Sequence, residues 1–218
     1  MQDKKRGKVI VFCGIDGSGK TAIINGINNN GEYETKKHPP QEWFDNPRVV
    51  TAFLDGNGED AMTPEEELEY ILDLDKKKEK EIIEISDSGR DILFHRYIFS
   101  LFAYHIGMKA HTMSELLDNF GSLLLPDEVI YLKISKECFY ERIRYKEKIS
   151  YLYDEEYVKR VFDCYDYLAE LFNWKVIETD NIEICKTIGM VKKIIREIPD
   201  KNQRFNLRRE VYKLENEC

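Results

Sequence analysis

An α/β fold with a five-stranded parallel sheet and helices on both faces is the architecture that this 218-residue sequence predicts. Three observations predict it. Short, almost uninterrupted apolar runs recur at strand length, and segments of helical period separate them. A hydrophobic content of 42% is sufficient to cover such a sheet on both sides within one domain.

The elements follow in order. A basic lead-in, Lys4-Lys5-Arg6-Gly7-Lys8, precedes Val9-Ile10-Val11-Phe12-Cys13, a buried parallel strand stopped by glycine. Thr21 to Ile27 places apolar residues at helical spacing and ends in Asn28-Asn29-Asn30-Gly31. A second strand is expected over Tyr33–Lys37, closed by Pro39-Pro40, and 41–61 reads as irregular with one short helix. Thr63-Pro64-Glu65-Glu66 is an N-cap, a proline and two acids, and starts a long helix to about Ile85. Ile92-Leu93-Phe94 is the third strand and leads into an amphipathic segment over Ile98–Gly107. Val129–Ile134 is the fourth strand, with helices over about 136–145 and 154–172 and a charged interruption between them. Trp174–Glu178 is the fifth, a last helix covers about 182–197, and 199–218 is expected to be a polar, mobile tail.

Gly14-Ile15-Asp16-Gly17-Ser18-Gly19-Lys20-Thr21 satisfies the pattern G-x-x-x-x-G-K-[ST] between the first strand and the first helix. Glycine permits positive φ and removes side chains, so successive backbone amides converge on phosphate oxygens. Lys20 then faces the β- and γ-phosphates, and the Thr21 hydroxyl is placed to ligate Mg²⁺. Gly14, Gly17, Ser18, Gly19, Lys20 and Thr21 are therefore the predicted ATP-binding residues of a three-layer P-loop NTPase fold.

With that loop in place, residues 8–198 resemble the thymidylate kinase family, one of the nucleoside-monophosphate kinases. Three segments carry the resemblance: the loop itself, Gly89–His105 around His95-Arg96-Tyr97 and Ala103-Tyr104-His105, and Pro126–Leu132 with Glu141-Arg142-Ile143-Arg144 after it. It implies transfer of the ATP γ-phosphoryl group to dTMP or a related pyrimidine deoxynucleotide, with ATP and Mg²⁺ as cofactors. It also assigns roles. Asp16 would bond the acceptor's 3′-hydroxyl, and Arg96 would grip its phosphate with a planar fork. Leu72, Lys76, Tyr104 and His105 would complete the acceptor site. Arg142 would join the ATP site, Arg144 would act with Lys20 and Arg96 in catalysis, and a lid would span about 142–153, its cations closing over ATP.

The sequence departs from the family pattern in three places. His95 replaces the aspartate of Asp-Arg-Tyr, so a neutral imidazole stands where a carboxylate would. In the base pocket, Asp75-Lys76 replaces Asp-Arg, Leu72 replaces an aromatic and His105 replaces glutamine, leaving open which base is read. The usual catalytic-arginine positions hold Gly17 in the loop and Ser150-Tyr151 in the lid. A deoxynucleoside kinase and an impaired nucleotide-binding regulator stay open as alternatives.

A net charge of −8 argues against a nucleic-acid binder, whose phosphate contacts need an excess of clustered cations. Five scattered cysteines without CxxC spacing suggest a reducing, cytoplasmic setting, and no apolar run is long enough to span a bilayer; a small nucleotide as the partner is what the loop and the resemblance imply. The family resemblance implies a homodimer, to which the apolar face of 98–107 would be available.

Overall fold

The computed structural model describes residues 5–49, 60–144, 154–200 and 203–207. Five strands, β1 (Val9–Cys13), β2 (Glu34–Lys37), β3 (Ile92–His95), β4 (Glu128–Lys133) and β5 (Lys175–Glu178), form one parallel sheet in the order β2-β3-β1-β4-β5. Eight helices among the described residues connect and cover them: α1 (Lys20–Ile27), α2 (Gln41–Phe44), α3 (Pro64–Asp87), α4 (Ile98–Gly107), α5 (Met113–Phe120), α6 (Lys136–Ile143), α7 (Glu155–Leu171) and α8 (Ile184–Glu197).

Strand alternation explains the three layers. Ile10 and Phe12 of β1 point to one face with Leu93, Ile130 and Leu132, and meet Ile23, Ile24 and Ile27 of α1 and Val191 and Ile195 of α8. Val11 and Cys13 point to the other face with Phe94, Val129 and Tyr131, and meet α3, α4 and α7. Both sets are buried, which is why these strands read as continuous apolar runs rather than as alternating ones.

The long helix α3 begins where its signal stands: the Thr63 hydroxyl accepts from Glu66 N, Glu66 Oε2 accepts from Thr63 N at 2.9 Å, and Pro64 occupies the first turn. Helix α5 has no counterpart in the sequence reading. Its start is the same capping box, Thr112 with Glu115, but only Leu116 and Phe120 of its eight residues are buried, too few for apolar periodicity to reveal it. Helix α4 is buried at eight of ten positions and packs against α7, so the apolar face expected to serve a dimer is consumed inside the chain. The Asp55-Gly56-Asn57-Gly58 stretch lies outside the described residues.

The expectation of a mobile tail fails over 203–207. Leu125 N donates to Phe205 O at 2.8 Å, Leu207 N donates to Leu123 O at 3.1 Å, and the Leu207 side chain is wholly buried. Two apolar residues, Phe205 and Leu207, in a polar stretch are a weak periodic signal, yet Leu207 here joins the core cluster that includes Leu116, Phe120 and Leu123. Leu207→Ala should therefore lower stability by about 2–4 kcal/mol in urea unfolding. A loss under about 0.5 kcal/mol would mean that this segment packs without stabilising.

Candidate active site

All five strands end on the same side, and the connections leaving them there build the site, as expected for a parallel sheet. The loop between β1 and α1 has Gly14, Gly17 and Gly19 at φ of 137°, 79° and 92°. At Gly14 the requirement is also steric, because a Cβ would lie 2.5 Å from the Leu132 carbonyl oxygen and 2.8 Å from Ser18 Oγ. Lys20, the first residue of α1, is buried and folds over the loop, its Nζ donating to Gly14 O and Ile15 O at 2.8 Å and to Ser18 Oγ at 3.0 Å. Its ammonium thus sits at the centre of the curve that the backbone describes. Thr21 follows at the mouth, with Oγ1 3.1 Å from Nε2 of His95 at the end of β3. Burial, with Lys20 and Arg96 nearby, pushes the His95 imidazole down to about 4, so it is neutral at physiological pH.

One flank of the loop comes from α6 and the end of β5. Arg142 Nη1 donates to Gly17 O at 2.9 Å and its Nη2 donates to Thr179 O at 3.1 Å, tying the loop to the fifth strand. Its Cβ lies 3.3 Å from where a Gly17 Cβ would stand, a tight contact, and Gly17 is in the left-handed region, so a larger residue there would press on Arg142 and strain the backbone. Arg144 caps the end of α6 and is exposed, farther along the chain toward the lid. Lys146, Lys148, Ser150 and Tyr151 lie outside the described residues.

The opposite flank is built around Arg96. Its backbone N donates to Phe12 O at 3.0 Å, continuing the β3 ladder, and its φ of 69° then turns the chain into α4. Non-glycine residues adopt that conformation at a cost, and such strain concentrates at functional sites. The side chain is buried, its Nη2 2.5 Å from Asp16 Oδ1 in the loop, its Nη1 3.2 Å from the Tyr165 hydroxyl, and its Cζ 5.1 Å from the centroid of the Tyr104 ring. Burial opposes the charge, but Tyr104, Tyr165 and Asp16 outweigh it and keep the guanidinium protonated. Tyr104 in turn stacks on Tyr157 of α7, with centroids 6.5 Å apart and planes inclined by 21°.

Beyond Tyr104 lies a buried polar group that spans α3 and α4. His105 Nδ1 is 2.9 Å from His111 Nδ1, so one of the two carries the shared proton, and His105 Nε2 is buried without a hydrogen-bond partner 3.9 Å from Glu67 Oε2. Burial pushes the Glu67 carboxyl up from 4.5 to about 7, and burial together with His111 pushes His105 down to about 4. At neutral pH His105 is therefore uncharged, and Glu67 is about half ionised. A carboxyl whose folded pKa is raised destabilises the fold only when ionised, so the penalty is absent below pH 4.5 and complete above about 7. Glu67→Gln should match the parent's stability near pH 4 and exceed it by about 3 kcal/mol at pH 8. His105 contributes with the opposite sign to both proteins, so the difference in urea unfolding between them isolates Glu67; an offset independent of pH would contradict this assignment.

Not every expected acceptor residue joins the cluster. Asp75 is buried and pairs with His38 after β2, its Oδ2 3.0 Å from Nε2, whereas Lys76 points outward and is exposed. Leu72 is half-buried against the α3–α4 core. Asp16, Arg96, Tyr104, Lys20, Thr21 and Arg142 are brought together, while Lys76 is turned to solvent. Glu67, His38, Tyr157 and Tyr165 were not singled out in the sequence, because nothing local distinguishes a buried glutamate in the acidic turn Glu65-Glu66-Glu67 from its solvated neighbours.

Comparison with known proteins meets this geometry. A probable thymidylate kinase of Archaeoglobus fulgidus is 30% identical over 165 residues, covering 72% of this chain and 80% of the relative. The thymidylate kinase of Plasmodium falciparum is 25% identical over 202 residues, 87% of this chain and 93% of the relative. Among solved structures, the thymidylate kinase of Candida albicans superposes with a TM-score of 0.74 at 17% identity, covering 92% of this chain and 99% of that one. A deoxyadenosine kinase from M. mycoides superposes with a TM-score of 0.62 at 20% identity over 87% of this chain and 100% of the other, so the fold by itself does not separate the two activities. The thymidylate kinase family model matches residues 12–187, from the end of β1 into α8, and the chain belongs to that family.

Proposed function

We propose that this chain transfers the γ-phosphoryl group of ATP to the 5′-phosphate of dTMP. The observation that carries the reading is the Asp16–Arg96 pair, 2.5 Å apart, because it joins an acid inside the phosphate loop to the cation at the end of β3. A group that receives the γ-phosphoryl must lie next to the loop that holds it, in line for transfer. Arg96 offers a fixed fork to the acceptor phosphate there, and Asp16 offers a carboxylate oxygen to a sugar hydroxyl. On the donor side the loop amides and Lys20 hold the β- and γ-phosphates, and Thr21 supplies an oxygen to the divalent cation that travels with ATP. Arg142 meets the loop at the Gly17 carbonyl and, freed from the Gly17 and Thr179 carbonyls, would turn toward the transferring group; Arg144 would follow only with closure of the lid. Loss of such a cation removes stabilisation of the transition-state charge.

Incubating the purified chain with ATP, Mg²⁺ and a panel of nucleosides and monophosphates tests this directly. The expected result is dTDP from dTMP, with kcat/KM for dTMP at least about 100-fold above that for thymidine, since a phosphate clamp left unfilled forfeits its binding energy. Turnover of free deoxynucleosides in preference to monophosphates would assign the chain to the other activity. Binding of ATP without any product would make it a regulator.

A further inference from the structure

The metal position of this site has an unusual donor set. In a P-loop the hydroxyl after the lysine is one oxygen ligand of the nucleotide's cation, and here that hydroxyl, Thr21 Oγ1, has an imidazole nitrogen 3.1 Å away, His95 Nε2. Bonds of about 2.1 Å place adjacent donors of an octahedral ion about 3 Å apart. The two atoms therefore have the separation of neighbouring ligands to one ion. Among the described residues no cluster of three or more His, Cys, Asp or Glu could hold a metal alone, so the phosphates must supply most of the remaining donors.

The orientation of His95 fits a ligand. It is the Nε2 edge of the ring that faces Thr21 Oγ1. Mg²⁺ favours oxygen donors and is reluctant to lose water, whereas imidazole nitrogen suits Mn²⁺, Co²⁺ and the later first-row ions.

Resting on the kinase reading above, we propose that His95 Nε2 enters the inner coordination sphere of the nucleotide's divalent cation beside Thr21 Oγ1, and that the enzyme thereby prefers a nitrogen-accepting transition ion, Mn²⁺ or Co²⁺, to Mg²⁺. His95 then takes a metal-binding role in place of the anionic role of the aspartate in the family pattern. The remaining histidines, His38, His105 and His111, belong to buried pairs elsewhere and leave this position to His95.

Electron spin-echo envelope modulation on the full chain with Mn²⁺ and a non-hydrolysable ATP analogue tests the contact without turnover. Protein grown with ¹⁵N-histidine should replace ¹⁴N modulation from a directly bound nitrogen by ¹⁵N modulation, and His95→Asn should abolish it. The isotope experiment needs no variant and decides the matter even if His95→Asn is unstable. Unchanged modulation on labelling, with the Mn²⁺–nucleotide complex demonstrably bound by loss of the free Mn²⁺ signal, overturns the proposal and leaves the kinase reading intact. No binding of the complex at all overturns both. In turnover, the ratio of kcat/KM with Mn²⁺ to that with Mg²⁺ should fall about 10–100-fold in His95→Asp, as expected when an imidazole ligand is replaced by a hard oxygen. An unchanged ratio also counts against a bound nitrogen.

Discussion

Lys20→Ala is expected to lower kcat by about 10³-fold and to weaken ATP binding in calorimetry, with little change in the unfolding midpoint. The magnitude follows from where the ammonium sits. It is buried within 3.0 Å of three loop acceptors, so water screens it poorly and the charge on the β- and γ-phosphates meets it at nearly full strength. Moving from those carbonyls to the phosphates exchanges neutral acceptors for charged ones, which are the stronger partners. Lys20→Arg should recover little of the loss, because a planar fork cannot occupy a position shaped for a point charge between two carbonyls and a hydroxyl. Parent-like ATP affinity in Lys20→Ala would remove the basis for reading this loop as a phosphate site.

Arg96 should give the second-largest effect, and on the other substrate. Arg96→Lys is expected to reduce kcat/KM for dTMP by about 100-fold while leaving KM for ATP near the parent value, because the charge survives and the two-pronged contact does not. Equal losses for both substrates would place Arg96 in the general integrity of the loop rather than in the acceptor clamp. Comparing Arg96→Gly with Arg96→Ala separates chemistry from conformation. Both remove the guanidinium, but only glycine relieves the φ of 69°, so the glycine variant should be the more stable by about 1 kcal/mol while both remain inactive. Alanine equalling glycine in urea unfolding would mean that the turn into α4 relaxes once the Asp16 contact is gone.

The positions of His95 and Arg142 bear on how the site differs from its family. In the resemblance, a carboxylate ends β3 and an arginine comes from the loop or the lid. Here an imidazole faces the loop threonine, and Arg142 lies across Gly17 with two backbone carbonyls as partners. These substitutions are compatible in space: glycine at 17 leaves room for Arg142, and a neutral ring at 95 adds no anion beside Lys20. Lys20 within the loop and Arg142 above it are both held by neutral protein acceptors that phosphate oxygens can replace.

The sequence by itself determined the five strands, the phosphate loop and the capping of α3, because each is written in contiguous residues: an apolar run for a strand buried on both faces, glycines for positive φ, and Thr63 three residues before Glu66. The same logic could have found α5 from Thr112 and Glu115, although only two of its side chains turn inward. Tertiary structure alone decided the strand order, the Asp16–Arg96 pair across 80 residues, the burial of Glu67 and His105, the outward turn of Lys76, and the docking of Leu207. Periodicity along a chain reports which face of an element is apolar, but the partner that covers the face, and so the dielectric and hydrogen bonds around each polar group, is set by contacts between distant segments.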